Sequence, residues 1–269
     1  MKTKRLQDIE NYIISHEIVS LDELCKKFNV SKNTIRRDIN TILGTGTIKK
    51  VYGGVTVADP VLIPFSKRDT SNQAEKIAIS KCAAQFIKED DIVFIDSGTT
   101  TRYIVDFIPA TLSATIVTNN LDVINSAASL PNIRIVIVGN VYKRETNSFI
   151  SLDNQNTFDK FNIDKAFMAT TGLSLTHGLT NSDFLEFPIK KEIVAKSNKL
   201  FVLVDHSKFD HYTLLTYLNL DRIDVLITDE KLKNEYEIYC KEHEIKVYQT
   251  SEENSLDNHT ESGYKQSHK

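Results

Sequence analysis

The stretch Ser20–Leu43 constrains the chain most, because it spells two short helices separated by a three-residue turn. Ser20 stands ahead of Leu21, Leu24, Cys25 and Phe28, with Glu23 three residues on. In that arrangement a hydroxyl caps the helix while an acidic side chain bonds back to the cap, and it predicts a helix over about 21–28. Asn29-Val30-Ser31 makes the turn: Asn29 tolerates positive φ, and Ser31 caps the run K-N-T-I-R-R-D-I-N-T-I-L. In this next helix Ile35, Ile39, Ile42 and Leu43 share one face, so Lys32, Asn33, Arg36, Arg37 and Asn40, with Thr34 beside them, are left for solvent or for DNA. Two short helices joined by a tight turn are the geometry that seats a recognition helix in the major groove.

The flanks complete the pattern. Leu6, Ile9, Ile13 and Ile14 give the i, i+3, i+7, i+8 stripe of a preceding helix. Beyond Gly44 and Gly46, Ile48–Val51, Tyr52-Gly53-Gly54 and Val55-Thr56-Val57 predict a hairpin, a wing whose Lys49 and Lys50 would lie near DNA phosphates. Charge agrees with this division. Met1–Val55 carries ten Lys/Arg against six Asp/Glu, a balance of +4 within a chain whose net charge is −3, so the rest carries −7. A basic head on an acidic body suits a nucleic-acid module joined to a part that does not touch nucleic acid.

Residues 1–57 are therefore expected to form a winged helix-turn-helix DNA-binding domain. Residues 58–72, with Pro60 and Pro64 and no periodicity, are expected to be a linker about which two domains reorient. Lys67 and Arg68 at its far end read as a solvated pair, with contact between Arg68 and a ligand phosphate as the lesser alternative. Residues 73–250 alternate helical and strand patterns, and 251–269 have too little to bury and are expected to be disordered. The expected fold class is α/β, a small head on a larger body.

In the body, Ile79, Cys82, Ala83 and Phe86 mark a helix, and strands are expected at 92–95, 115–117, 133–138, 165–168, 200–204 and 225–227. Interposed helices imply parallel strands, whose ligands sit beyond the carboxyl ends. After Ile95 come Asp96-Ser97-Gly98-Thr99-Thr100-Thr101 and a helix over Tyr103, Ile104 and Phe107, a corner suited to an anion. Val117 leads into Thr118-Asn119-Asn120, Val138 into Gly139-Asn140, and Val204 into Asp205-His206-Ser207-Lys208-Phe209, so polar groups converge on one pocket. Lys208 is the expected phosphate contact; Asp96 and Asp205 are expected to meet hydroxyls or hold loops. Gly172 and Gly178 bracket an expected mobile loop, and Glu186 and Lys190 an i,i+4 ion pair. His177, His206 and His211 lack metal spacing, Cys25, Cys82 and Cys240 read as packing residues, and neither metal nor cofactor is expected.

The run V-S-K-N-T-I-R-R-D-I followed by Y-G-G-V resembles the amino-terminal motif of the DeoR family of bacterial regulators. The likeness continues more loosely to about residue 230 through D-S-G-T-T, T-N, T-G-L-S-x-x-x-G-L-T, K-K and D-H-S-K-F. The resemblance implies a sensor domain related in fold to phosphosugar isomerases, a phosphorylated sugar as effector, the D-S-G-T-T loop as phosphate site and Lys208 in the pocket. Where many members carry two glycines after the third strand, this chain has Gly139-Asn140.

The function that follows is a sequence-specific transcriptional regulator, a repressor of sugar-metabolism genes, acting as a homo-oligomer on a double-stranded operator in the cytoplasm, away from membranes and without catalysis. The competing reading is a phosphosugar isomerase or deaminase with an appended DNA-binding domain, in which Asp96, Glu186 or Asp205 supplies a base. A third is a regulator whose body serves only to oligomerise.

Overall fold

A computed structural model describes residues 2–16, 18–44, 48–51, 54–57, 68, 70–151 and 161–251. The chain divides into two compact units, Met1–Ile63 and Pro64–Lys269.

The first unit runs α1 (Lys2–His16), β1 (Ile18–Ser20), α2 (Leu21–Phe28), α3 (Lys32–Leu43), β2 (Ile48–Val51) and β3 (Gly54–Val57). The cap hydroxyls act as their residue types dictate, but the reciprocal half of the expected capping box is not seen among the described residues: the Glu23 carboxylate accepts from the Tyr12 hydroxyl at 3.1 Å. Ser20 Oγ accepts from the Glu23 N–H at 3.1 Å, and Ser31 Oγ from the Thr34 N–H at 3.3 Å. Between them Asn29 adopts the left-handed conformation at φ 49°. Ile9, Ile13, Leu24, Ile35, Ile39 and Ile42 close the core with Val19, Ile48 and Val55 from the strands. The strand β1 was not anticipated; three residues are too few to show an alternating pattern. It pairs antiparallel with β3, Val19 facing Val55, and a side chain at Gly54 would drive a Cβ to 2.4 Å from the Val19 carbonyl oxygen. Asp38 is fully buried on α3, where Arg5 Nε reaches it at 2.9 Å and ties α1 to α3. The Tyr52-Gly53 turn of the wing and the stretch 58–67 of the expected linker lie outside the described residues, as do Lys67 and the tail beyond Ser251.

The second unit is built on seven parallel strands: β4 (Ile92–Ile95), β5 (Ala114–Thr118), β6 (Ile133–Ile137), β9 (Ile163–Ala169), β12 (Ser197–Leu203), β14 (Val225–Thr228) and β15 (Lys246–Gln249). Their order is β15-β14-β12-β9-β4-β5-β6. One face carries α6 (Phe187–Lys196) and α7 (Asn234–Glu242), with Ile189, Ile193 and Tyr236 over Ala166 and Val202. The other carries α4 (Gln73–Ala84), a 3-10 helix (Thr101–Phe107) and α5 (Leu121–Ala127), with Ile79, Ile104 and Val123 over Val93 and Ile116. The chain starts at β4, winds outward through β5 and β6, then returns to the far side of β4 with β9. The reversal opens a crevice at the carboxyl ends of β4 and β9, where such sheets bind ligands.

Several expectations change here. The helix after the D-S-G-T-T loop is 3-10 rather than α, seven residues long. The expected mobile loop around Gly172 and Gly178 is a hairpin of β10 (Gly172–Ser174) and β11 (Gly178–Asn181), and β13 (Leu215–Leu218) pairs with β11. Its glycines permit close backbone approach: a Cβ at Gly172 would meet the His211 carbonyl at 2.6 Å, and at Gly178 the Leu218 carbonyl at 2.3 Å. A second hairpin, β7 (Val141–Lys143) with β8 (Ser148–Ile150), follows Gly139, whose φ of +93° and contact with Phe149 exclude a side chain. Burial pushes the Cys82 and Cys240 thiols up to about 11, consistent with packing residues. Among the described residues no helix is long and apolar enough to cross a membrane.

Candidate functional site

Each unit presents one polar surface that its fold arranges. On α3, Ile35, Asp38, Ile39 and Ile42 are buried, and Lys32, Asn33, Arg36, Arg37 and Asn40 are exposed on the opposite side. Lys32 Nζ lies 2.7 Å from Asp22 on α2, and that hydrogen bond holds the Asp22 carboxyl below its usual range. Both groups are solvated, so a phosphate can displace the carboxylate at little cost. The wing reaches the same helix: Lys50 Nζ donates to Asn40 Oδ1 at 2.9 Å. Thr34 belongs to the helix cap, its hydroxyl 2.9 Å from Ser31 Oγ. The Lys49 side chain lies outside the described residues; its backbone is in β2.

In the second unit a cleft of about 450 Å³, counted out to its open mouth, lies over the β4–β9 switch point. Ser97, Gly98, Thr99 and Thr100 line it from the end of β4, Ala169, Thr170 and Thr171 from β9, and Asp205 and Lys208 from beyond β12. Asn181, Glu186 and Lys190 close one side, and Arg68 enters from ahead of α4. Gly98 is needed for the two loops to meet, since a Cβ there would lie 2.2 Å from that of Ala169. Its N–H is occupied by the Asp96 carbonyl and Thr101 Oγ1. Among the described residues, the N–H groups of Ser97, Thr99 and Thr100 donate to no protein acceptor.

Three residues expected in the pocket lie behind its lining instead. Asp96 is buried, paired with Lys190 Nζ and accepting from the Ala169 N–H at 2.9 Å. Thr118 donates to the Ile95 carbonyl at 2.7 Å and accepts from the Asn120 N–H. Asn119 donates to the Phe149 carbonyl at 3.1 Å and to Ser97 Oγ at 3.3 Å. All three hold the corner in shape. The expected Glu186–Lys190 ion pair also does not form. Glu186 sits one residue ahead of α6 and accepts from Ser148 at 3.0 Å, while Lys190, a turn further on, points to Asp96 and to the Ala169 carbonyl. Both face inward, so across-sheet partners win over an i,i+4 contact in water. Arg68, read as solvated, is half-buried in the cleft. Lys190 to Asp96 spans 94 residues, beyond the reach of any spacing argument.

The cleft is cationic at one end. Burial lowers the Lys208 pKa, Asp205 opposing and Arg68 adding to the depression; burial likewise lowers that of Arg68, against Glu186 and Asp96. Burial and mutual repulsion disfavour the two cations, the neighbouring carboxylates offset part of that cost, and an added anion would offset more. Burial pushes the Asp205 carboxyl up, but Lys208, hydrogen bonds from Ser207 and Asn72, and Lys76 outweigh it and hold the group below the usual carboxylate range. Asp205 Oδ1 accepts from Asn72 and Ser207, while the buried Oδ2 has no partner among the described residues.

Outside the cleft, the fold brings His206, Asp229 and Glu230 together, with His206 Nδ1 against Asp229 Oδ2. Burial alone would lower the His206 pKa, yet the Asp229 hydrogen bond and charge, with Glu230 and Asp205, raise it. A raised folded-state value means the pair stabilises fully below the ordinary histidine pKa and fades as pH rises through the folded one. The melting temperature of wild type relative to Asp229→Asn is therefore expected to be greatest near pH 5–6 and to shrink above pH 7, as followed by circular dichroism. A pH-independent difference would contradict the ion pair.

Comparison with known proteins agrees with this layout. Residues 5–61 match the DeoR-like helix-turn-helix domain and residues 71–230 the DeoR C-terminal sensor domain. The chain is 52% identical over 249 residues to the HTH-type transcriptional regulator IolR of Bacillus subtilis (strain 168), covering 92% of this chain and 99% of that one. It is 28% identical to the glycerol-3-phosphate regulon repressor of Escherichia coli (strain K12), over 85% of this chain and 91% of that one. Among solved structures, ribose 5-phosphate isomerase A of Methanocaldococcus jannaschii overlaps 52% of this chain and 55% of that one, at 18% identity and a TM-score of 0.38, too distant to bear on function. With a recognition helix and wing in one unit and a switch-point cleft in the other, the chain belongs to the DeoR family and is a DNA-binding transcriptional regulator.

Proposed function

We propose that this regulator is a repressor of sugar-metabolism genes whose effector is a small phosphorylated sugar or polyol bound in the β4–β9 cleft. The observation that carries the reading is the pairing of Arg68 with Lys208 beside the unengaged amides of Ser97, Thr99 and Thr100. Cations and amide donors converging on one point form a phosphate site. The phosphate lies against Lys208, Arg68 and the Ser97–Thr100 loop, Gly98 allowing the close approach, and the hydroxyls meet Asp205 Oδ2 and Glu186. The E. coli relative is named for a glycerol-3-phosphate regulon, which fits a ligand of this size and charge. On DNA, Arg36, Arg37, Asn33 and Lys32 read the major groove with Asn40, and Lys49 and Lys50 hold phosphates. A homo-oligomer sets the spacing of half-sites on the double-stranded operator, and the protein works in the cytoplasm, where the chromosome is.

Binding rather than turnover is the role of the cleft. A carboxylate held below its usual pKa, as Asp205 is, makes a poor base at neutral pH. A thermal-shift panel of phosphorylated hexoses, pentoses and polyols tests the reading. A true effector at one hundred times its Kd stabilises by about 2.7 kcal/mol, roughly 5–10 °C for a unit of this size. That shift is expected to vanish in Lys208→Met. Silence across the panel would refute sensing and leave a body that only oligomerises; turnover lost in Asp205→Asn would make the protein an enzyme.

A further inference from the structure

We propose that Lys76 and Asn72 are positioning residues of the cleft, which hang Arg68 over the bound anion and so make the first residues of the sensor unit part of the ligand site. The inference rests on the effector reading above. Lys76 has no exposure to solvent, and an ammonium taken fully out of water needs strong acceptors. Its Nζ donates to two backbone carbonyls, those of Arg68 and of Ser71, the latter at 2.7 Å. Ser71 Oγ donates to the same Arg68 carbonyl at 3.0 Å, so Arg68 and Thr70–Asn72, a strap ahead of α4, fold back on themselves. Its other end is held by Asn72, left-handed at φ 48°, whose Nδ2 donates to Asp205 Oδ1 at 2.9 Å.

The strap is thus pinned to α4 at one end and to the residue beyond β12 at the other. Both pins lie within the cleft's own machinery: Arg68 and Asp205 line it, and Asp205 Oδ2 is the acceptor left for a ligand hydroxyl. A ligand that engages Arg68 and Asp205 together tightens the strap between them. Since the sensor unit begins at Pro64, the tightened residues are those through which the chain enters it from the DNA-binding unit.

Hydrogen exchange of the full-length protein tests this, with inorganic phosphate, glucose 6-phosphate and glycerol 3-phosphate as probes and thermal shift as the binding readout. In wild type, a probe that raises the melting temperature is expected to slow exchange of the 68–72 amides at least about fivefold. Lys76→Met keeps the volume and removes the donor; Asn72→Gly keeps the left-handed backbone and removes the other pin. Each is expected to weaken probe affinity about tenfold and to abolish the slowing, with the melting temperature of the free protein measured alongside. If Lys76→Met fails to fold, Asn72→Gly decides alone. A probe that raises the wild-type melting temperature without slowing 68–72 overturns this inference and leaves the effector site standing. Variants that bind and slow like wild type also overturn it. No shift with any probe or with the wider sugar-phosphate panel removes the effector site and this inference with it.

Discussion

Changing Arg36 and Arg37 together to alanine is expected to lower operator affinity by roughly 30-fold to 10⁴-fold while the protein folds normally. Each arginine that meets a guanine edge or a phosphate contributes about 1–3 kcal/mol, and both side chains stand on the exposed face of α3, away from Ile35, Ile39 and Ile42. Fluorescence anisotropy with operator DNA measures the loss, and repeating it at several salt concentrations divides it: a phosphate contact flattens the salt slope by about one unit per residue, a base contact leaves the slope and erases sequence preference. Wild-type affinity in the double variant would sink the assignment of α3 as the reading helix.

The second large effect concerns stability. Asp96 and Lys190 are almost fully buried and face each other, Lys190 at one side of the cleft and Asp96 behind its lining. In Asp96→Asn the ammonium loses its counter-charge; a neutral amide oxygen at 96, the Ala169 carbonyl at 3.0 Å and the Tyr217 ring at 5.3 Å fall far short of compensating a buried charge. Breaking such a pair from one side costs about 3–5 kcal/mol, so the melting temperature is expected to fall by roughly 6–20 °C. Lys190→Met leaves the opposite charge stranded and destabilises similarly. The double variant has no stranded charge and is expected to recover much of the loss, a coupling that calorimetry on the four proteins measures. Two mild single variants with additive effects would show that the pair does not act as a unit.

Much of the first unit was legible before any coordinates. Ser20, Asn29 and Ser31 act within four residues of themselves, so α2 and α3 begin and end where their caps and turn dictate. The isoleucine spacing sorted Arg36 and Arg37 to the outside for the same local reason. In the second unit, strands β4 and β14 lie within a residue of their expected positions because short apolar runs between polar ends leave little choice. What escaped was whatever lacked a local signature: the three-residue β1, the edge strand β15, and the two hairpins, whose pairing depends on partners rather than on period.

The candidate site divides along the same line. Glycine and hydroxyls after a strand were enough to mark Ser97–Thr100, and an aspartate–lysine pair after a later strand to mark Asp205 and Lys208. Which of the neighbouring polar residues line the cleft was decided by tertiary structure alone. Asp96 and Thr118 carry the same chemistry as their neighbours yet hold the scaffold, while Arg68, Glu186 and Lys190, seemingly surface charges, turn into the cleft. Local sequence specifies how a few residues fold against each other; the order of strands sets which residues far apart in the chain meet, and with it whether a charge is solvated, paired or left available for an anion.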